Sequence, residues 1–483
     1  MNELTPYQTI IGLEVHAQLK TDSKLFCGCH WQFGAQPNAR TCPLCLGLPG
    51  ALPVLNRKAV EFAIKLALAV EARIAQRTAF SRKNYFYPDL PKGYQISQFD
   101  SPIASSGKLK IRLNSGIKTI HIRRIHLEDD AGKSIHAESW VRENESLIDF
   151  NRCGVPLIEI VTEPELSTPG EASRFLQTIR QLLRYLDICD ANMEVGNLRC
   201  DANISVRPHG GATWPGVKTE VKNMNSFRAV ERALAYEQQR QIELLEHGEK
   251  ILSDTLLWNE KAQVTESMRI KEQAHDYRYF PEPDLPPLKI DTSWLDKIKN
   301  EMPELPDARR DRFIRQYKLS RADADLFTAT VELADFFEKV VVRIGDVRLV
   351  NTWVKTELLR SVNQSADEAT PISADAFAEL LDFVKQKKIT AQSAKIVLVE
   401  MLTSEKAVAE IIHDKKLTLL SDANQLGVIV DQAIADNPDA VKHYRSGKRQ
   451  LLNFFIGQVM KLTRTKADPE AAKKILLEKL DAE

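Results

Sequence analysis

The sequence predicts an α+β protein in which a strand-rich part is followed by a helical part. In the first part, short segments alternate apolar with other residues and carry many β-branched side chains, which is typical of strands. The proline-rich stretch 276–287 then marks a boundary of extended chain. From about Trp294 onwards, apolar residues follow helical spacing and glycines are few. A chain of 483 residues exceeds one ordinary core, so we expect about two to four domains.

The composition indicates a globular protein of a reducing compartment. Apolar residues make up 43% and charged residues 27% of the chain, and the formal net charge is +0. Only local patches can therefore attract nucleic acid. The sequence lacks a recognisable signal peptide and an apolar run of membrane-spanning length. Four of the seven cysteines are clustered and three are scattered, which favours a metal site over a disulfide framework. We expect a cytoplasmic protein without a membrane partner.

The first strand, Ile10 to Leu19, carries the first candidate site residues. Glu14 and His16 are two residues apart and therefore share a face of that strand. A carboxylate and an imidazole side by side can hold a metal ion or act as acid and base. The alternative is a solvated strand face that carries a histidine by chance.

A cysteine cluster follows the first strand. Two close pairs are separated by a short loop, which is the spacing of a four-thiolate structural zinc site. Four thiolate ligands leave no open position for catalysis, so such a metal folds a loop. The alternative is four reduced thiols without metal. The cluster consists of Cys27, Cys29, Cys42 and Cys45.

Two later segments place carboxylates where a cation is expected. The strand from Ile120 to Leu127 runs into three consecutive acids, 128–130, which suit a hard cation such as magnesium but also occur in surface turns. The following Gly-Lys-Ser is not a phosphate-binding loop, because Leu127 stands where that motif requires glycine. Glu159 lies inside an apolar run, where an ionised carboxylate needs a metal or an arginine partner.

Further polar strand faces and one loop complete the candidate cavity. Asp201 lies on the polar face of the predicted strand 199–206, and Lys218 on that of 218–223. Such faces are solvated or line a shared cavity for a charged substrate. The loop 82–95, which includes Lys83, is rich in aromatic residues, cations and turn formers. It can grip phosphate or stack on a base, or it is an ordered connection.

The last part of the chain carries a local cationic stripe. Seven basic residues and no acidic residue lie between Lys442 and Lys466. The stripe suits a nucleic-acid backbone, and its alternative is an ordinary solvated helix face. It consists of Lys442, Arg445, Lys448, Arg449, Lys461, Arg464 and Lys466.

Several long motifs resemble the GatB family, the B subunits of the tRNA-dependent amidotransferases called GatCAB. The likeness runs from the first strand to the C-terminal tail, and the motifs are specific because each is long. They are IGLEVHAQL (11–19), RKNYFYPDLPKGYQISQFD (82–100), LIEIVTEP (157–164), LRCDANISVRP (198–208), KTEVKNMNSF (218–227) and DYRYFPEPDLPPL (276–288).

The resemblance implies three domains. A cradle of antiparallel strands and helices, the kinase domain, would occupy 1–293 and include the zinc-binding loop 27–45. A helical domain would follow at 294–410, and a small helical tail of the YqeY type, which reaches tRNA, at 411–483.

The resemblance also implies the activity. Family members use ATP to phosphorylate the side-chain carboxylate of Glu-tRNA(Gln) or Asp-tRNA(Asn) and then replace the phosphate with ammonia. The ammonia comes from the glutaminase partner, GatA, and a third partner, GatC, straps the other two together. Whether one or both tRNAs are used stays open, as does the noncatalytic alternative of a tRNA-binding scaffold.

The family's site residues carry over to positions of this sequence. The magnesium site would involve Glu14, His16, Glu128 and Glu159. Asp201, Lys83 and Lys218 would contribute to the nucleotide site. The zinc cysteines, present in only some members, are all present here. Some relatives have Glu-Glu-Asp where this chain has Glu-Asp-Asp at 128–130, so the acid that contacts metal stays open.

Overall fold

The computed structural model describes nine stretches of the chain: 6–135, 141–142, 145–209, 217–270, 277–362, 372–404, 406–419, 423–463 and 466–481. The chain divides into two compact units, 1–308 and 309–483. The predicted boundary residue Asp276 and the stripe residue Arg464 lie outside the described residues.

The first unit contains a large sheet and also two-stranded sheets. Its strands are β1 (Tyr7–Gln18), β2 (Arg73–Ile74), β3 (Arg77–Thr78), β4 (Ser81–Asn84), β5 (Tyr94–Ser97), β6 (Ala104–Leu113), β7 (Gly116–Asp129), β8 (Lys133–Ile135), β9 (Leu147–Asp149), β10 (Pro156–Thr162), β11 (Leu198–Pro208), β12 (Thr219–Lys222), β13 (Asp254–Asn259), β14 (Val264–Ile270), β15 (Phe280–Pro281) and β16 (Leu288–Lys289). Its helices are α1 (Arg57–Ala69), α2 (Pro169–Tyr185), α3 (Phe227–Glu246) and α4 (Thr292–Asn300).

The strand order places the first strand in the middle of this sheet. The order is β14-β13-β12-β11-β1-β10-β7-β5-β4-β15, with β6 paired to β7 and β2. Two-stranded sheets are formed by β3 with β16 and by β8 with β9. Among the described pairings, β12 with β13 is parallel and the others are antiparallel.

The two faces of β1 have opposite roles. Leu13, Val15 and Ala17 are buried in the apolar core of the unit, to which helices α1, α2 and α3 also contribute. Because side chains alternate along a strand, Glu14 and His16 face the other way. The helices on one face thus leave the opposite face of the sheet for polar side chains.

The second unit is helical. It contains α5 (Pro306–Tyr317, which begins in the first unit), α6 (Arg321–Phe327), α7 (Val331–Ile344), α8 (Val347–Trp353), α9 (Leu359–Val362), α10 (Ala374–Lys385), α11 (Ala391–Thr403), α12 (Val408–Asp414), α13 (Ala423–Ala435), α14 (Pro438–Arg445), α15 (Leu452–Leu462) and α16 (Pro469–Asp481). A π-helical turn, Val354–Leu358, joins α8 to α9. The described residues of this unit form two apolar clusters, one between Phe313 and Leu417 and one between Leu426 and Leu480.

The prediction of an α+β protein is confirmed, with a strand-rich first part and a helical second part. The predicted divisions at 293 and 410 stay predictions. Within the described ranges, no helix combines the length and the apolar character that a membrane crossing requires.

Candidate functional site

Three of the predicted site residues meet on the polar face of the large sheet. His16 on β1, Glu159 on β10 and Glu128 on β7 come from three neighbouring strands. Nε2 of His16 lies 3.4 Å from Oε2 of Glu159 and 3.5 Å from Oε1 of Glu128. One ligand atom from each residue lies within 4.8 Å of the others. Imidazole and carboxylate groups at this spacing fit a single divalent cation.

A second imidazole, which the sequence reasoning missed, joins this cluster. His126 pairs directly with Glu159 across β7 and β10, and its Nε2 lies 3.1 Å from Oε2 of Glu159 and 3.8 Å from Oε2 of Glu128. Its ring is buried, and its Nδ1 has no hydrogen-bond partner among the described residues. The strand alternation that places Glu128 on this face also places His126 there. We call His16, His126, Glu128 and Glu159 the strand-face site.

The charges of the strand-face site depend on one another. Burial favours the neutral acid, yet His126 and His16 hold the pKa of Glu159 well below its ordinary value. Burial would likewise lower the pKa of His126, but Glu159 and Glu128 outweigh it and raise that pKa to about 9. The pKa of His16 is raised for the same reason. Protonated imidazoles therefore stabilise the buried carboxylates, together with Arg124, whose Nη2 lies 3.5 Å from Oε1 of Glu159. A metal ion bound by His16 would replace its proton, because a ligating imidazole is neutral.

The three consecutive acids at the end of β7 have different partners. Glu128 faces His16, whereas Asp129 accepts hydrogen bonds from the Lys92 ammonium and from the backbone N–H of Ile96. Asp130 accepts from other polar side chains, Gln18 Nε2 at 2.8 Å and Arg199 Nη2 at 2.8 Å. Glu128 is thus the acid of this run that faces the candidate metal position.

Glu14 and Asp201 form a second polar cluster beside the first. They pair directly across β1 and β11, and Glu14 Oε1 accepts a hydrogen bond from Asn203 Nδ2 at 3.1 Å. Asp201 accepts from the ammonium of Lys222, the last residue of β12. The predicted Lys218 precedes β12 and is exposed. The roles predicted for Glu14, Asp201 and Lys218 stay predictions.

Aromatic side chains surround Lys83 at the edge of the sheet. Its Nζ lies 4.9 Å from the ring centroid of Tyr277. Tyr277 contacts Tyr279 edge to face, and Tyr279 stacks on the exposed Phe99 with 3.9 Å between ring centroids. Burial and the charge of Glu159 raise the pKa of Tyr279, so this cluster lies near the strand-face site. Such rings can stack on a nucleobase.

The four predicted zinc cysteines come together. Sγ of Cys45 lies 3.6 Å from Sγ of Cys27, 3.7 Å from that of Cys42 and 3.8 Å from that of Cys29. With Zn–S bonds of about 2.3 Å, the sulfurs of a tetrahedral site are about 3.8 Å apart. The cluster therefore fits a structural zinc ion.

A buried lysine supports the cysteine cluster. Lys24 is fully buried, and its ammonium donates to Sγ of Cys45 at 3.3 Å and to the carbonyl oxygen of Arg40 at 2.8 Å. A hydrogen bond from Cys27 and the charge of Lys24 outweigh burial and lower the pKa of Cys45 to about 4. Sequence reasoning missed Lys24 because a single lysine ordinarily indicates an exposed position.

Comparison with known proteins identifies the family of this chain. The family described as the GatB/GatE catalytic domain matches residues 9–296, and the GatB domain of the YqeY type matches 335–480. A relative from Carboxydothermus hydrogenoformans, named as the B subunit of aspartyl/glutamyl-tRNA(Asn/Gln) amidotransferase, is 50% identical over 476 residues, which is 98% of this chain and 99% of the relative. Relatives of the same name from Moorella thermoacetica and Thermodesulfovibrio yellowstonii are 50% and 49% identical, over 98% and 97% of this chain and 100% and 98% of their own lengths.

The fold and the matches define an α+β protein with a catalytic domain of the GatB/GatE type. The strand-face site lies within that domain. The chain belongs to the GatB family, and the resemblance noted in the sequence is confirmed.

Proposed function

We propose that this protein is the ATP-dependent B subunit of a tRNA-dependent amidotransferase, which converts Glu-tRNA(Gln), Asp-tRNA(Asn) or both to the amidated forms. The observation that carries the proposal is the strand-face site, in which Glu128 and Glu159 are buried beside two imidazoles. Burying carboxylates costs free energy, and a protein that only binds tRNA does not require buried carboxylates.

The proposed reaction has two steps. A carboxylate oxygen of the aminoacyl side chain attacks the γ-phosphorus of ATP, forming an acyl phosphate and releasing ADP. Ammonia then attacks the acyl carbon, and the C–O bond to phosphate breaks, so that phosphate leaves and the amide forms. Activation is required because an unmodified carboxylate lacks a good leaving group. The protein contributes positioning and charge compensation to the first step.

The donor set fits a divalent metal ion. His16, Glu128 and Glu159 would hold Mg²⁺, with Glu14 and Asp201 alongside. When bound, such an ion neutralises charge that develops on the phosphoryl oxygens. The protein's own cations nearby, Lys83 and Lys218 as predicted and Lys222 from the structure, would bring positive charge to the phosphates.

The aromatic side chains beside Lys83 support the nucleotide part of the proposal. Phe99 and Tyr279 present a stacked, partly exposed pair near the carboxylates of the strand-face site. Stacking on such a pair is tolerant of base identity and suits a purine ring. A nucleotide held there by its base would direct its phosphates towards the cations of the polar face.

The partners follow from the chemistry. Ammonia must arrive before water, so it must come from a closed passage in a neighbouring glutaminase (GatA), with GatC completing a heterotrimer. The zinc ion at Cys27, Cys29, Cys42 and Cys45 would have a structural role. The exposed basic residues near Lys442 and Lys448 would contact the tRNA backbone. We propose a cytoplasmic location, because the substrate would be an aminoacyl-tRNA used in protein synthesis.

The decisive experiment compares two site variants with two controls in the assembled complex. Glu159→Gln and His16→Ala should abolish ADP formation that depends on misacylated tRNA, while tRNA affinity stays within about twofold of wild type. The controls are Glu163→Gln and His121→Ala, since His121 is exposed, Glu163 is half-buried, and both form ion pairs with residues outside the strand-face site. Both controls should retain activity.

The outcomes separate the two functions. Loss of ADP formation in the site variants alone supports the kinase role. Normal turnover in both site variants would contradict it and would favour the tRNA-binding scaffold.

A further inference from the structure

We propose that Lys92 is a positioning residue that couples the cysteine cluster to the strand-face site. It holds Asp129 in place and thereby fixes the adjacent Glu128, while the turn that follows Cys45 holds Lys92. The proposal rests on the proposed function only in taking the strand-face site to bind a divalent metal.

Lys92 and its neighbours hold Asp129 at three points. The Lys92 ammonium donates to Oδ2 of Asp129, and the Ile96 backbone N–H donates to Oδ1 at 2.7 Å. The Gln95 side chain donates to the backbone carbonyl of Asp129 at 2.8 Å. Asp129 is almost completely buried. Both its backbone and its carboxylate therefore depend on the segment 92–96.

Asp129 and Glu128 are consecutive residues of β7. Their side chains point to opposite faces of the strand. Because the two residues are adjacent in the backbone, a shift of one also moves the other. Glu128 lies 3.5 Å from His16 on the polar face, whereas Asp129 meets Lys92 on the other side. Groups that orient a metal ligand from behind commonly change metal affinity when they are removed.

The turn that follows the cysteine cluster packs directly on Lys92. Gly47 has a φ of +66°, and a Cβ atom there would lie 3.0 Å from the backbone nitrogen of Lys92 and 3.1 Å from its Cα. Gly47 is only two residues beyond Cys45. A small cavity is lined by residues of both segments, among them Leu44, Cys45, Leu90 and Lys92. The loop that zinc would fold thus forms one wall around Lys92.

The physical consequence is a chain of contacts from the thiolates to the metal position. A folded cysteine cluster would keep water from the Lys92–Asp129 ion pair, whose side chains are both largely buried. Breaking such a pair leaves a buried charge uncompensated. Loss of the cluster's metal would loosen the 42–47 turn, hydrate this pair and release Asp129. Glu128 would then lose its fixed position beside His16.

The first test measures Mn²⁺ binding to the full-length protein by electron paramagnetic resonance. Lys92→Met should weaken Mn²⁺ affinity at least about tenfold, the size of effect known for residues behind metal ligands. The double variant Lys92→Met/Asp129→Asn should recover much of this loss, because it removes the uncompensated buried carboxylate. The control Lys108→Met removes an exposed lysine that pairs with Glu71 on the surface and should bind as wild type. Wild-type affinity in Lys92→Met would overturn the proposal.

The second test measures amide hydrogen exchange after zinc removal by a chelator and, separately, in Cys29→Ser. Exchange in peptides covering 90–97, which include the Ile96 N–H, should become at least about tenfold faster. Unchanged exchange there, with faster exchange at 27–47, would overturn the coupling. If wild-type protein binds no Mn²⁺, the metal role in the proposed function fails, and the exchange measurement alone decides the coupling.

Discussion

The imidazole of His126 lies 3.1 Å from the carboxylate of Glu159, its direct partner across two antiparallel strands. Neither residue can reach water easily, because both are buried. Burying this charged pair costs free energy, and unfolding experiments can measure that cost.

Replacement of His126 by leucine should strongly destabilise the first unit. Glu128 and Glu159 would lose a positive neighbour and remain buried close together, at a cost of about 3–5 kcal/mol. The midpoint of urea unfolding measures this loss, and added Mg²⁺ should restore part of it by binding the carboxylates. The control is His121→Leu, which removes an exposed ring and should shift the midpoint little. Equal shifts in the two variants would show that the buried charges are not compensated by His126.

Freshly prepared protein should contain one zinc ion per chain, because Sγ of Cys45 lies 3.6–3.8 Å from the other three sulfurs, close to the spacing of a tetrahedral site. Elemental analysis of the protein checks the number. Cys29→Ser should lower the zinc content, whereas Cys189→Ser, a buried cysteine outside the cluster, should leave it unchanged. Protein without zinc but with normal stability would contradict the assignment.

Removal of the last part of the chain should raise the KM for tRNA more than it lowers ammonia-dependent turnover. The truncation should end after Leu419 rather than at 410, because Ile411, Ile412 and Leu417 belong to the apolar cluster of the preceding helices. Loss of exposed cations weakens contacts with the phosphate backbone. Steady-state kinetics of the complex measures both parameters.

A milder variant provides the control for that truncation. Replacing the exposed Lys442, Lys448 and Lys461 by glutamine keeps the helices intact. It should raise the KM in the same direction and reduce its dependence on salt. An unchanged KM in both variants would remove the role of the basic stripe.

Glu338 should make the second unit sensitive to acid. Hydrogen bonds from Arg312, Arg309 and Tyr317 outweigh burial and lower the pKa of Glu338 to about 2. Because the folded pKa is below the unfolded one, its contribution is complete above about pH 4.5 and is lost as the pH falls towards 2. Glu338→Gln should cost about 1–2 kcal/mol at neutral pH. Unfolding midpoints measured across pH 2–7 test this. The difference in midpoint between wild type and Glu338→Gln should narrow as the pH falls. A difference that stays constant would contradict the lowered pKa of Glu338.

Strand alternation and cysteine spacing were sufficient to predict many residues of the candidate sites from the sequence. They placed Glu14 and His16 on one face, marked Glu159 as a carboxylate in an apolar run and identified the four cysteines. Each signal is local, since it depends on residues a few positions apart.

What sequence reasoning could not supply is the neighbour relation between strands. The position of β1 between β11 and β10 is set by pairing between distant segments, which no local pattern records. The role of His126 depends on that pairing, because its partner Glu159 lies on another strand. Likewise, only the register of β12 shows that Lys222 meets Asp201.

The helices also include features with a local sequence signal and features without one. Ser320, Ser373 and Thr390 each accept a hydrogen bond from a backbone N–H in the first turn of a helix, as their residue types predict. The π-helical turn at Val354–Leu358 had no such local signal.

The central place of β1 also affects how the chain folds during synthesis. Tyr7 to Ala17 pair with Leu198 to Pro208, so β1 leaves the ribosome long before its partner exists. Until then its apolar side and unpaired backbone stay open to wrong partners, and such long-range pairing is slow. We therefore expect nascent chains that stop short of β11 to be captured by chaperones, and chains that include it to escape them.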